Sequence, residues 1–204
     1  LGIVVFALAA AAGASTFTLE QVLSSPFPSG LVAAPAGGKI AWVENARGVR
    51  NIWIAEPPDY KARQLTSYRE DDGQEIGGLE WTPDASAIVY VRGGATNSQG
   101  EIPNPRSDPA GVEQAIWVVP APGGEARRLA EGRGPAVSPQ GKRLVFLRRG
   151  QIWSASLDGS ERPAQLVQGR GQAESLAWSP DGSKLAFASG RRDHAFIGVY
   201  DIAS

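Results

Sequence analysis

One ten-residue pattern occurs four times in this chain, and it leaves few folds open. The copies occupy residues 33–42, 81–90, 137–146 and 178–187, each with a proline in third place and a hydrophobic triplet at its end. Those prolines, Pro35, Pro83, Pro139 and Pro180, stand 48, 56 and 41 residues apart. A repeat of this length holds one small antiparallel sheet, which must stack on its neighbours to bury its faces.

Each repeat resolves into strand, tight turn, strand, loop, strand and usually a fourth strand. In the last copy, Ser175-Leu176-Ala177-Trp178 is the first strand and Ser179-Pro180-Asp181-Gly182 the turn. Proline pre-sets φ at the second position of that turn, and glycine takes the left-handed position after it. Ser138-Pro139-Gln140-Gly141 repeats the device, whereas Thr82-Pro83-Asp84-Ala85 has alanine in the glycine position, at a cost of about 1 kcal/mol if φ there is positive. Third strands are expected at Ile52-Trp53-Ile54-Ala55, Ile116-Trp117-Val118-Val119, Ile152-Trp153-Ser154-Ala155 and Ile197-Gly198-Val199-Tyr200. Fourth strands are expected at Arg63-Gln64-Leu65-Thr66, Arg127-Arg128-Leu129-Ala130 and Ala164-Gln165-Leu166-Val167.

The fold expected is all-β: a partial β-propeller of about four blades, each a four-stranded antiparallel sheet, the last blade incomplete. Blades are placed near residues 30–68, 78–130, 134–168 and 175–204. Closure into a four-bladed ring would need a strand from Leu31-Val32-Ala33 or Phe17-Thr18-Leu19 to complete the fourth blade; the spacing looks more like a longer array that has been cut. All six tryptophans fall in repeat strands, as packing between blades demands.

Residues 1–14 form an apolar run ending in Ala12-Gly13-Ala14, too short for a membrane span but suited to the remnant of a secretory signal peptide. Export to the periplasm or outside the cell is the expectation, with a mature start near Ser15 and a lead-in over residues 15–29. Within that lead-in, Thr18 and Gln21 have the spacing of a helix N-cap and its capping-box partner. The formal net charge of -1 gives no case for a nucleic-acid or anionic-membrane partner. With no cysteine there is no thiolate nucleophile or zinc-finger spacing.

Chemistry-bearing patterns are sparse. The one histidine, His194, lies in Gly190-Arg191-Arg192-Asp193-His194, a loop between second and third strands. Adjacent Asp and His side chains on a strand would point apart, and no serine sits in a G-x-S-x-G turn. Arg191, Arg192, Asp193 and His194 are therefore candidates for binding or inter-domain contact, and no catalytic, metal or cofactor residue is assigned. Glu70-Asp71-Asp72-Gly73-Gln74-Glu75 resembles part of a calcium loop, but an EF-hand counted from Gly73 would end on Leu79 where glutamate is needed. It is read as a solvated inter-blade loop. Residues 93–114 form the longest irregular stretch, at the same place in blade two as the His194 loop in blade four; both are expected on one rim.

The run Trp178-Ser179-Pro180-Asp181-Gly182-Ser183-Lys184-Leu185-Ala186-Phe187 resembles the repeat of two groups of exported bacterial propellers. One is the periplasmic propeller of the Tol-Pal system. The other is the N-terminal propeller of prolyl-oligopeptidase-family serine peptidases, in the dipeptidyl-peptidase and acylaminoacyl-peptidase branch. Phe17-Thr18-Leu19-Glu20-Gln21-Val22-Leu23 resembles the usual opening of those peptidases, and Gly77-Gly78-Leu79-Glu80-Trp81 and residues 190–200 resemble their blade segments. The resemblance implies a propeller that covers a C-terminal α/β-hydrolase domain and restricts entry to short or flexible peptide substrates. That family's Ser, Asp and His triad lies in the hydrolase domain and matches no position here, nor do its paired glutamates for a peptide amino terminus. The other implication is a protein-binding propeller without enzymatic activity. A propeller enzyme with a metal in its channel is a third and weaker possibility, since no constellation of His and carboxylate residues supports it.

Overall fold

The computed structural model describes residues 17–97, 99 and 101–202. The apolar run at residues 1–14 lies outside the described residues. Among those described, no helix is long and apolar enough to cross a membrane.

The lead-in forms α1 (Leu19–Leu23), whose start is fixed as its spacing predicts. The Thr18 hydroxyl accepts from the Gln21 amide at 3.1 Å, and the Gln21 side chain accepts from the Thr18 amide at 2.9 Å. Two orphan amides of the first turn are thus satisfied reciprocally.

Four antiparallel sheets follow. Blade one comprises β1 (Phe27–Ala33), β2 (Ile40–Ala46), β3 (Val49–Ala55) and β4 (Arg63–Gln64). Blade two comprises β5 (Ile76–Trp81), β6 (Ala87–Arg92), β7 (Ala115–Pro120) and β8 (Arg127–Glu131). Blade three comprises β9 (Arg133–Val137), β10 (Arg143–Arg148), β11 (Gln151–Ser156) and β12 (Ala164–Val167). Blade four comprises β13 (Gln172–Trp178), β14 (Lys184–Arg191) and β15 (His194–Asp201). Strand order follows chain order within every sheet.

First strands meet across blades: β1 packs on β5, β5 on β9, and β9 on β13. The four sheets therefore stand side by side around their first strands, as propeller blades do. The ring does not close through the lead-in, because Leu31, Val32 and Ala33 belong to β1 and its sheet. Phe17, Thr18 and Leu19 enter no strand.

The core lies between blades rather than within them. One apolar cluster joins blades one and two through Ile52, Ile54, Trp81, Ile88 and Tyr90. A second joins blades two and three through Val89, Ile116, Leu144 and Phe146. The third joins blades three and four through Val145, Leu147, Ile152 and Leu185. This arrangement explains why β6 and β10 each bury four consecutive residues: a neighbouring sheet covers each face.

Hydrogen bonds tie the inner strands together. The Trp81 indole Nε1–H donates to the Val32 carbonyl at 3.4 Å, and Trp178 donates likewise to Ala136 at 3.0 Å. Blade three has Val137 where an indole would stand, and there a backbone donor and a side-chain acceptor make the link. Its backbone N–H donates to the Glu80 carboxylate of blade two at 3.0 Å. Burial pushes the Glu80 carboxyl above its ordinary value of 4.5, partly offset by that hydrogen bond. Of the six tryptophans only Trp81 is buried; the others are half-buried, and of these Trp117, Trp153 and Trp178 flank the inter-blade clusters.

Candidate functional site: the rim of the second-to-third strand connections

Each blade sends its second-to-third strand connection to the same rim as the chain crossing into the next blade. Gly93 N–H donates to Glu75 O at 2.9 Å, Gly132 N–H to Gln114 O at 2.8 Å, and Ala173 N–H to Gly150 O at 2.8 Å. The connection in blade one is Arg47-Gly48, with φ of 53° and 87°, and in blade three Arg149-Gly150, with φ of 49° and 70°. Two left-handed residues in succession match the twist of the strands they join. In blade four Arg192 alone is left-handed, at 45°, between the paired residues Arg191 and His194.

Tight turns of this kind expose their residues, and Arg191, Arg192, Asp193 and His194 are all exposed. The structure corrects one expectation here. Asp193 belongs to the turn rather than to β15, so its carboxylate folds back onto His194 Nδ1 at 2.7 Å. The imidazole also stands edge-on to Phe196, with centroids 4.9 Å apart, and Arg191 lies over the Phe196 ring at 5.0 Å. The Arg191 Nε–H donates to the Arg170 carbonyl at 3.2 Å, which fixes the turn against the crossing from blade three. The imidazole has Asp193 as its hydrogen-bond partner, which supplies orientation and a charge but no nucleophile.

The long stretch at residues 93–114 reaches the same rim in blade two and is tied down. Gln114 donates to Gly94 O at 3.1 Å, and Asn104 and Asp108 exchange side-chain and backbone hydrogen bonds at 2.9 and 3.0 Å. Beneath it lies a cavity of about 590 Å³ lined by Asp72, Gln74, Arg92, Arg106, Glu113 and Trp117, among others. The acidic run beside it is exposed at Glu70, Asp71 and Glu75, as a solvated loop is, but three of its carboxylates are paired. Glu70 pairs with Arg106 at 2.8 Å, Asp71 with Arg50 at 3.5 Å, and Asp72 with Arg92. Arg92 also sits 4.3 Å over the Tyr68 ring, whose hydroxyl meets that of buried Tyr90 at 2.7 Å. These carboxylates serve as counter-charges to arginines contributed by strands and by the long loop.

A second rim cavity, of about 550 Å³, opens between blades two and three and takes Arg133, Arg148, Arg149, Glu131 and Gln172 into its lining. Sequence reasoning passed over these arginines. Their signal is present in Arg148-Arg149-Gly150 and Gly169-Arg170-Gly171, where arginine stands next to glycine as it does in Gly190-Arg191-Arg192.

The four-fold repeat, radial first strands and inter-blade cores define a β-propeller array. No family model matches the chain, and no curated protein does. Among solved structures it is similar to TolB from Acinetobacter baumannii, at 18% identity and a TM-score of 0.62 over 88% of this chain and 42% of that one. It is similar as well to the β-propeller domain of the trilobed protease from Pyrococcus furiosus, at 15% identity and a TM-score of 0.59 over 86% of this chain and 54% of that one. Acylaminoacyl peptidase from Pyrococcus horikoshii gives 15% identity and a TM-score of 0.59 over 87% of this chain and 31% of that one. The chain thus shares the fold of TolB and peptidase propellers, while spanning about half their length or less.

Proposed function

We propose that this chain is the N-terminal propeller portion of an exported serine peptidase, where it gates peptide access and docks on a C-terminal α/β-hydrolase domain. The observation that carries the reading is the lead-in. Phe17-Thr18-Leu19-Glu20-Gln21-Val22-Leu23 resembles the opening of such peptidases, and it folds as a capped helix directly ahead of blade one. In this role the chain forms and breaks no bonds. Its rim supplies contacts for the hydrolase domain, with Arg191, Arg192, Asp193 and His194 presented for that purpose. The triad would be supplied by the hydrolase domain.

A protein-binding propeller of Tol-Pal type is the second reading, supported by the similarity to TolB. A fluorophosphonate probe separates the two. The 204-residue chain is expected to leave the probe unreacted, and the full-length product of its gene to take it up on a serine beyond Ser204. Labelling of a serine within residues 1–204, or a full-length product that stays unlabelled, overturns the peptidase reading.

A further inference from the structure

Arginine is spread along the whole rim, but its counter-charges are not. On blades one and two, Arg47 faces Glu20 at 3.9 Å, Arg50 faces Asp71 at 3.5 Å, Arg106 faces Glu70 at 2.8 Å, and Arg92 faces Asp72. Arg69, exposed in the crossing between these blades, has no carboxylate partner among the described residues. On blades three and four, Arg148 alone has a carboxylate among the described residues, Glu131 at 2.5 Å. Even that pairing is partial, since it engages one nitrogen and leaves the buried Arg148 Nε without an acceptor. Arg133, Arg149, Arg170 and Arg192 are exposed and have no carboxylate partner among the described residues.

These groups form one strip. Arg133, Arg148 and Arg149 line a single cavity of about 550 Å³, with Gln172 adding an amide. The Arg149-Gly150 turn abuts the next crossing, where Ala173 donates to Gly150 O at 2.8 Å. That crossing also holds Arg170, whose carbonyl accepts from Arg191. Glu131, Glu174 and Asp193 are the only carboxylates of these crossings and turns, against six arginines.

We propose that this strip is the docking surface for an acidic polypeptide segment, with one of its carboxylates held in the cavity between blades two and three. Planar guanidinium groups beside one amide donor match the two-oxygen geometry of carboxylates. A nucleic acid fits the strip less well. The chain is net negative at -1, and the aromatic faces at the strip, Trp153 and Phe196, are occupied by Arg148 and Arg191 rather than free to stack on bases. The inference holds for either reading of the whole protein, because neither a hydrolase domain nor catalysis enters it.

The test is fluorescence anisotropy of a labelled oligoglutamate peptide titrated with the 204-residue chain. Binding is expected, and it weakens as NaCl rises from roughly 50 to 200 mM. Arg133→Gln and Arg149→Gln, both exposed substitutions, each weaken it about fivefold, the equivalent of one surface ion pair, while Arg69→Gln leaves it unchanged. Circular dichroism of each variant confirms the fold. Absence of binding at the low salt concentration overturns the proposal, and so does an equal loss in Arg69→Gln. Oligothymidylate binding as tightly as oligoglutamate, with the same losses in the variants, would reassign the strip to phosphate backbones and overturn it too.

Discussion

Glu80 shows how one residue keeps two blades in register at a cost that depends on pH. Its carboxylate replaces the indole link of the other blades by accepting from Val137 N–H at 3.0 Å. Burial raises its folded pKa above the ordinary 4.5, so folding favours the protonated form. The stability this adds is complete below the unfolded value and is lost as pH rises through the folded value. Glu80→Gln keeps the acceptor and removes the charge. We expect the variant to be at least as stable as the parent at pH 7 and to lack the parent's decline above pH 4.5, as measured by urea unfolding across pH. A variant less stable at neutral pH would show that the charge itself holds the blades.

At the scale of the element, the first strand of every blade carries a bulge five residues before its turn proline. Gly30, Gly78, Gly134 and Ser175 occupy that place with φ of 63°, 58°, 56° and 53°, and the strand register slips beside each. The bulge bends the innermost strand where the blades crowd together. Serine is the one side chain in the series, exposed and left-handed, a conformation that costs about 1–2 kcal/mol without compensation. Ser175→Gly is therefore expected to stabilise the chain by about 1 kcal/mol in denaturant unfolding, and Gly134→Ala to destabilise it by a similar amount. Unchanged midpoints for both would mean that the bulge relaxes. The turn that follows has its own exception in Ala85, left-handed at 54° where the other blades have glycine. Its methyl is buried in the core between blades one and two, which offsets much of the backbone cost.

For the molecule as a whole, stability is shared between neighbours, and equivalent residues differ by what stands beside their blade. Ile52, Ile116 and Ile152 head the third-strand motifs and are 0%, 0% and 1% exposed, whereas Ile197 in blade four is 77% exposed. Ile116→Ala is expected to cost about 2–5 kcal/mol and Ile197→Ala less than about 1 kcal/mol in this chain, as read by urea midpoints. Equal costs would place Ile197 against a surface that the described residues do not contain.

The blades were legible because their period, turn prolines and third-strand apolar motifs recur, and strands of this length are set by local alternation and turn chemistry. The capped helix was legible for the same reason: Thr18 and Gln21 act over one turn. The bulges left a trace, a small residue five places before each proline, that turn chemistry alone does not interpret. Local rules failed at the rim. The Asp193–His194 contact depends on where a strand ends, the pairing of Asp71 and Asp72 with Arg50 and Arg92 on two blades meeting, and the lack of a carboxylate partner for Arg133 and Arg149 among the described residues on Glu131 being taken by Arg148. Composition alone records twenty basic and twenty-one acidic residues and no patch. Local sequence thus determined each blade and its turns, because backbone torsions and hydrogen bonds are satisfied among near neighbours in the chain. Tertiary structure decided which charges are neutralised and which stay free, because Coulomb attraction acts through space between residues that only blade packing brings together.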